Sequence, residues 1–155
     1  MFSLIHSFIT IFISFYAFID KSMYDYVILC IVFLLPLTWS VYKGECLLSY
    51  YYKKYKDPNY VLGSNVISDE IYVIFGDKFI PLLIFFYRVC IPVIQTITLY
   101  LLLKRQHFKS VEMILYPLLY YIYFYMSMLQ SFIINLVATF TFSYILYRVV
   151  KNYLR

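Results

Sequence analysis

Long apolar runs dominate the chain, and their length limits the fold more than any other feature. The runs cover residues 2–19, 26–42, 79–103, 111–129 and 132–150. As a helix, residues 2–19 would rise about 27 Å, close to the ~30 Å hydrocarbon thickness of a bilayer. Because backbone polar groups inside a bilayer must be bonded within the protein, such runs form helices. The sequence therefore predicts an all-α fold, a polytopic transmembrane helical bundle forming one membrane domain over residues 1–155.

The composition supports this class and excludes others. Hydrophobic residues make up 64% of the chain and charged residues 14%, against about 45–50% and about 25% in soluble domains. A water-facing surface cannot be built from such a chain, so we predict an integral membrane protein with membrane lipids as partners. The net charge of +5 lies in short stretches, which is typical of loops beside an anionic membrane face. A nucleic-acid partner would require a contiguous basic face on a soluble fold, and none is predicted.

The number of spans depends on residues 111–150, which are almost uninterruptedly apolar. One helix of that length would reach about 60 Å, twice what a bilayer core needs. We favour a helical hairpin that turns near Gln130-Ser131, which gives five spans. The alternative is four spans, with a single long helix whose tyrosine-rich half projects from the membrane and is covered by another subunit. The tyrosines in question are Tyr116, Tyr120, Tyr121, Tyr123 and Tyr125.

The longest polar interruption is the stretch Trp39–Gly63, and we predict an interfacial polar segment over residues 43–78. Within it, residues 45–56 have helical periodicity, with leucines and tyrosines on one face and polar residues on the other. This pattern predicts an amphipathic helix at the membrane surface with its lysines at the lipid headgroups. It would serve either as a partner-docking or lipid-sensing helix or as an elbow that turns the chain along the surface. The candidate interfacial or partner-docking residues are Trp39, Glu45, Lys53, Lys54, Lys56 and Tyr60.

A few polar residues lie inside the apolar runs and are candidate intramembrane polar or lipid contacts. They are Arg88, Gln95, Thr98 and Asn135. A charge at membrane depth costs several kcal/mol unless it is paired or reaches the interface. Pro92 also leaves the carbonyl of Arg88 without its helical donor. Arg88 is therefore either a structural ion pair or snorkelling residue, or a contact for a substrate, ion or lipid headgroup. Gln95 and Asn135 are expected to hydrogen-bond to neighbouring helices.

Motifs that carry chemistry are missing from the sequence. Cys30, Cys46 and Cys90 form no C-x-x-C pair and have no histidine at zinc-ligand spacing. Glycine occurs only at 44, 63 and 76, which leaves no glycine-rich phosphate loop. We therefore predict a protein that is not an enzyme and has no cofactor and no metal.

Part of the polar interruption resembles a known pattern. The residues that carry the resemblance are Trp39, Glu45-Cys46, Ser49-Tyr50, Lys53-Lys54, Asp57-Pro58-Asn59-Tyr60 and Leu62-Gly63. They resemble uncharacterised small polytopic membrane proteins of large DNA viruses. The resemblance implies a protein of a viral or host-derived membrane, without catalytic residues to carry over. The other source of such chains is a protist mitochondrial genome, where the protein would be similar to an accessory subunit of a respiratory complex in the inner membrane.

Two functions from different classes fit these observations. The first is a structural or assembly subunit of a larger membrane complex, with protein partners at the polar segment and the tyrosine-rich surfaces. The second is a small homo-oligomeric channel or transporter, in which Arg88, Gln95, Thr98 and Asn135 line a polar path. The low glycine count argues against close helix packing around a pore. We therefore favour the structural subunit.

Overall fold

A computed structural model of the chain describes residues 2–19, 23–64, 79–129 and 131–154. Every regular element within those ranges is helical, which confirms the predicted all-α class. The helices are α1 (Phe2–Phe15), α2 (Asp25–Val41), α3 (Leu47–Lys56), α4 (Ile80–Phe85), α5 (Ile91–Arg105), α6 (Ser110–Met126) and α7 (Phe132–Tyr153). Short 3₁₀ turns extend α1 over Tyr16–Phe18 and α6 over Ser127–Leu129, and a π-helical turn, Phe86–Cys90, joins α4 to α5.

Helix α2 contacts three other helices of the bundle. It packs along α7 and also contacts α5 and α6, while α6 packs along α5, and α1 packs on α5. Leu29, Val32 and Phe33 of α2 are fully buried, and the Phe33 ring meets the ring of Tyr116 edge to face at 6.3 Å. Apolar side chains from α1, α2, α5, α6 and α7 form one continuous core. The core therefore includes residues from both ends of the chain.

The apolar stretch over residues 111–150 is interrupted, so the alternative of a single long helix is wrong. Ser127 donates a 2.8 Å hydrogen bond from its hydroxyl to the carbonyl of Phe124, and such local bonds compete with the helix. Ser131 is extended, with φ −70° and ψ 127°, immediately before α7 begins. Gln130, the other residue of the predicted turn, lies outside the described residues. Because of this break, α7 packs along α2 instead of continuing in the direction of α6.

Two helical segments are long and apolar enough to cross a membrane: Pro81–Arg105, which runs through α4, the π turn and α5, and Phe132–Tyr153. Ser7–Phe18 and Asp25–Val41 are apolar but shorter. The structure thus shows a helical bundle with two candidate spans within the described ranges.

The predicted surface helix begins two residues later than expected. Cys46 is extended at φ −68° and ψ 131°, and α3 starts at Leu47. Glu45 therefore precedes the helix instead of lying on its polar face. The remainder of the predicted polar segment, residues 65–78, lies outside the described residues.

Candidate functional site: three polar clusters in an apolar bundle

The first polar cluster, here called the Glu45 cluster, consists of Glu45, Lys53, Tyr60 and Gly63. Glu45 is fully buried. Its Oε1 accepts hydrogen bonds from Nζ of Lys53 at 3.2 Å and from the hydroxyl of Tyr60 at 2.8 Å. Its Oε2 accepts one from the backbone N–H of Gly63 at 3.2 Å. A buried carboxylate is stable only when it is paired and hydrogen-bonded, and this one ties α3 to the loop that follows it.

Most of the predicted docking residues are used inside the protein. Trp39 packs its ring against Tyr120 at 6.4 Å and against Phe124 at 5.7 Å. Glu45, Lys53 and Tyr60 are occupied in the Glu45 cluster. From that candidate set, Lys54 and Lys56 are the exposed members.

The two exposed lysines differ in their local contacts. Lys54 donates from Nζ to the carbonyls of Pro58 at 2.6 Å and Tyr60 at 3.2 Å. It therefore closes the turn in which Asp57 accepts a 2.9 Å hydrogen bond from the N–H of Asn59. Nζ of Lys56 lies 4.6 Å from the centroid of the Tyr52 ring.

The second polar cluster, the interior seam, runs along one face of α6. Tyr116, Tyr120 and Tyr123 share this face because they recur at helical spacing, and all three are buried. The Tyr120 hydroxyl donates to Oε1 of Gln95 on α5 at 2.5 Å. The Tyr123 hydroxyl donates to Oδ1 of Asn135 on α7 at 3.1 Å. A buried tyrosine hydroxyl needs such a partner, and here the partners lie on two different helices.

Hydroxyl groups on other helices extend the interior seam. Thr98 of α5 donates a hydrogen bond to the carbonyl of Ser14 on α1. The hydroxyls of Ser40 on α2 and Thr139 on α7 lie 2.8 Å apart. Gln95, Thr98 and Asn135, three of the four candidate intramembrane residues, therefore bond to neighbouring helices.

Arg88, the fourth candidate, lies in the π turn Phe86–Cys90 and is half-buried. Pro92 has no N–H to offer the carbonyl of Arg88, and the hydroxyl of Tyr125 on α6 donates to that carbonyl at 2.8 Å. Among the residues that the structure describes, the guanidinium of Arg88 has no ion-pair partner. The contact at this position is therefore made by its backbone.

The third polar cluster, here called the end latch, joins four helices at one end of the bundle. Asp25, fully buried at the start of α2, lies 3.7 Å from Arg105 of α5 and accepts a 2.9 Å hydrogen bond from Gln106. Arg105 also donates to the carbonyl of Ile19 at 2.8 Å, after α1. Asn152 of α7 donates to the carbonyl of Gln106 at 3.0 Å. This ion pair and these hydrogen bonds thus link the ends of α1, α2, α5 and α7.

The end latch was not predicted from the sequence. The available signal was an acidic residue at the start of one apolar helix and a basic residue at the end of another. Antiparallel neighbours bring such ends together. Sequence alone does not say which helices are neighbours.

One further ion pair lies at the same end. Arg148 of α7 donates to Oε1 of Glu112 at the start of α6 at 2.5 Å, and the Tyr116 hydroxyl donates to the same oxygen at 3.2 Å. Oε2 of Glu112 accepts the N–H of Lys109 at 3.2 Å, which caps α6. Glu112 therefore joins α6 to α7 while its charge is neutralised by Arg148.

All three clusters connect parts of the protein to one another, and their chemistry is that of helix packing. In the described part of the chain, no group of three or more His, Cys, Asp and Glu side chains is placed to hold a metal ion. Compared with known protein families, curated proteins and solved structures, the chain matches none of them.

Proposed function

We propose that this protein is a non-catalytic integral membrane protein that serves as a structural or assembly subunit of a larger membrane complex. The observation that carries the proposal is the contrast between the surface and the interior of the bundle. Large apolar side chains face outward, whereas Gln95, Thr98 and Asn135 are buried and hydrogen-bonded to neighbouring helices. This distribution suits a lipid environment.

The outward face of α7 illustrates this surface. Phe132 is 78% exposed, Ile133 71% and Phe140 70%. A soluble monomer rarely leaves a contiguous apolar surface of this kind uncovered. Lipid chains would cover it.

In this proposed arrangement five segments cross the membrane: α1, α2, the α4–α5 segment, α6 and α7. Helix α2 would span about 26 Å, which a bilayer accommodates by slight thinning. Because successive crossings run in opposite directions, the end latch would lie at one membrane surface and the Glu45 cluster at the other. The two surfaces would then each carry one of the charged clusters, where water and headgroups are within reach.

The contacts of the candidate intramembrane residues favour a subunit over a channel. A polar path needs side chains whose donors and acceptors face the permeating species. Gln95, Thr98 and Asn135 instead hydrogen-bond to Tyr120, Ser14 and Tyr123. We therefore keep the homo-oligomeric channel or transporter as the second candidate and the subunit as the first.

The surface that would meet a partner is the outer side of α3. Tyr51 is 58% exposed and Tyr55 87%, with the exposed Lys54 and Lys56 beside them. Tyrosine is enriched in the centres of protein interfaces. Because the Glu45 cluster holds α3 to its loop, the surface is preorganised, and this reduces the entropy lost on binding.

The test is gentle detergent extraction from the source membrane, followed by mass analysis of the co-migrating proteins. We expect the protein to stay in the membrane when the membrane is washed with alkaline carbonate. After detergent extraction we expect it in stoichiometric amounts within a large assembly. Tyr55→Ala should reduce the recovery of partners, whereas Tyr147→Ala, on the outward face of α7 and 57% exposed, serves as the matched control. Fractionation of the source would assign the membrane, viral, host-derived or mitochondrial.

Recovery of the protein alone or as a small homo-oligomer would overturn the subunit proposal. Ion and solute flux in liposomes would then test the second candidate. A channel that uses the interior seam should lose flux in Gln95→Leu.

A further inference from the structure

An apolar groove of about 410 Å³ lies between α5 and α6 on the outside of the bundle. Its walls are formed mainly by Val93, Ile97, Tyr100, Ile114, Pro117 and Tyr121. The hydroxyl of Thr96, which also lines it, donates to the carbonyl of Pro92 in its own helix. The volume falls within the range of small-molecule sites, and the walls are almost entirely apolar.

The groove has a charged end. On α5 the lining residues Val93, Ile97 and Tyr100 follow helical spacing, and Lys104 continues the same face four residues later. On the other wall, Lys109 directly precedes α6, four residues before the lining residue Met113. Both lysines are exposed. Basic side chains therefore flank the groove where α5 ends and α6 begins.

The connection between the helices keeps the two lysines together. The N–H of Phe108 donates to the carbonyl of Leu103 at 3.1 Å, and that of His107 to the carbonyl of Lys104 at 3.2 Å. With His107 at φ 57°, these bonds form the compact left-handed helix ending known as a Schellman motif. Phe108 is buried and anchors the turn in the core. The spacing of Lys104 and Lys109 is thus set by a folded turn.

Arg105 and Glu112, the charged residues next to the two lysines in the chain, are already paired. Arg105 is directed to Asp25 in the end latch, and Glu112 is paired with Arg148. Within the described ranges, neither Lys104 nor Lys109 has an ion-pair partner. The mouth of the groove consequently carries unneutralised positive charge.

We propose that this groove binds one anionic phospholipid, with an acyl chain along α5 and α6 and its phosphate at Lys104 and Lys109. The face from Val93 to Lys104 rises about 16 Å, about half of the ~30 Å hydrocarbon core, which is the depth of one leaflet. The apolar walls of the groove suit the acyl chain of such a lipid, and its basic end suits the phosphate. The inference rests on the proposed membrane location.

The experiment uses the full-length protein in vesicles of phosphatidylcholine with a minor fraction of phosphatidylglycerol, followed by gentle detergent extraction and native mass spectrometry. We expect one retained phosphatidylglycerol per protein. Each lysine near an anionic lipid contributes about fivefold in affinity. The double substitution Lys104→Gln, Lys109→Gln should therefore lower the protein's preference for phosphatidylglycerol over phosphatidylcholine about 25-fold. Lys151→Gln, at the same end of the bundle, is the control for charge.

A second variant tests the groove itself. Ile97→Trp should fill it and abolish retention of both lipids, whereas Ile133→Trp, on the exposed face of α7, should not. Unchanged thermal midpoints establish that the variants fold. Equal retention of phosphatidylglycerol by wild type and the double variant would overturn the proposal. So would disulfide cross-linking of two copies through Ile97→Cys, since a second copy would then occupy the groove.

The two proposals fail in different ways. A protein released from vesicles by alkaline carbonate would refute the membrane location itself. A protein that stays in the membrane but shows no lipid preference would refute the lipid site alone.

Discussion

The hydroxyl of Tyr120 on α6 donates a hydrogen bond to Oε1 of Gln95 on α5, and neither side chain is more than 4% exposed. Two polar groups that would each be costly in an apolar interior are therefore satisfied by one another. The same solution recurs between Tyr123 and Asn135. These bonds explain how the apolar helices accommodate polar residues.

The first prediction concerns this pair. Tyr120→Phe should lower the free energy of unfolding by about 1 kcal/mol, because the Gln95 carbonyl loses its donor. In the double variant with Gln95→Leu the loss should be smaller than the sum of the single losses, since the partner has also been removed. The measurement is unfolding in detergent micelles. Tyr55→Phe, at an 87% exposed position, should change nothing, and strict additivity in the double variant would contradict the pairing.

The second prediction concerns the end latch. Arg105→Ala should destabilise the protein by about 3 kcal/mol because it leaves the buried Asp25 without its cation. Lys104→Ala, one residue earlier and exposed, should cost less than about 0.5 kcal/mol. Thermal unfolding of both variants in the same detergent provides the comparison. Equal losses would show that the Arg105–Asp25 contact does not hold the helix ends together.

The third prediction concerns the Glu45 cluster. Glu45→Ala removes the acceptor for Lys53, Tyr60 and the N–H of Gly63, so the loop after α3 should open more often. Hydrogen exchange at the Gly63 amide should accelerate about tenfold, which corresponds to the loss of about 1.4 kcal/mol of local protection. The rate of hydrogen exchange in α7 should not change. Tyr55→Ala is the control on the same helix, and unchanged exchange at Gly63 in Glu45→Ala would refute the role assigned to the carboxylate.

The fourth prediction concerns the π turn. Tyr125→Phe should cost about 1 kcal/mol, because the carbonyl of Arg88 loses the hydrogen bond from this hydroxyl. In a Pro92→Ala background the same substitution should cost almost nothing, because the new N–H at position 92 can bond to that carbonyl within the helix. Four unfolding measurements complete this double-mutant cycle. An equal cost of Tyr125→Phe in both backgrounds would mean that the hydroxyl does not replace the missing amide.

Much of the helical layout was predictable because it depends on local signals. The expected run 26–42 corresponds to α2 at Asp25–Val41, and the run 132–150 to α7 at Phe132–Tyr153. A long apolar run has few alternatives to a helix when its backbone must bond to itself. The distortion near Arg88 was also predictable, since Pro92 removes a specific hydrogen bond from its own helix.

The error in the predicted start of the surface helix comes from the hydrogen-bond partners of Glu45. Periodicity placed Glu45 on the exposed face of a helix, where a charged residue is usually found. In the structure Cys46 is extended and Glu45 turns inward, because Lys53, Tyr60 and the Gly63 amide together provide it with three donors. Hydrophobic patterning does not register such partners, since two of them lie far along the chain.

What the sequence determined by itself is therefore the helical class, the position of the apolar helices and the residues that would be costly in an apolar interior. Only the tertiary structure decided how that cost is met: Gln95 with Tyr120, Asn135 with Tyr123, Asp25 with Arg105. The physical reason is range. Helix formation depends on residues three or four apart, whereas the partner of a buried polar group depends on which helices pack together, and α7 packs against α2 from the other end of the chain.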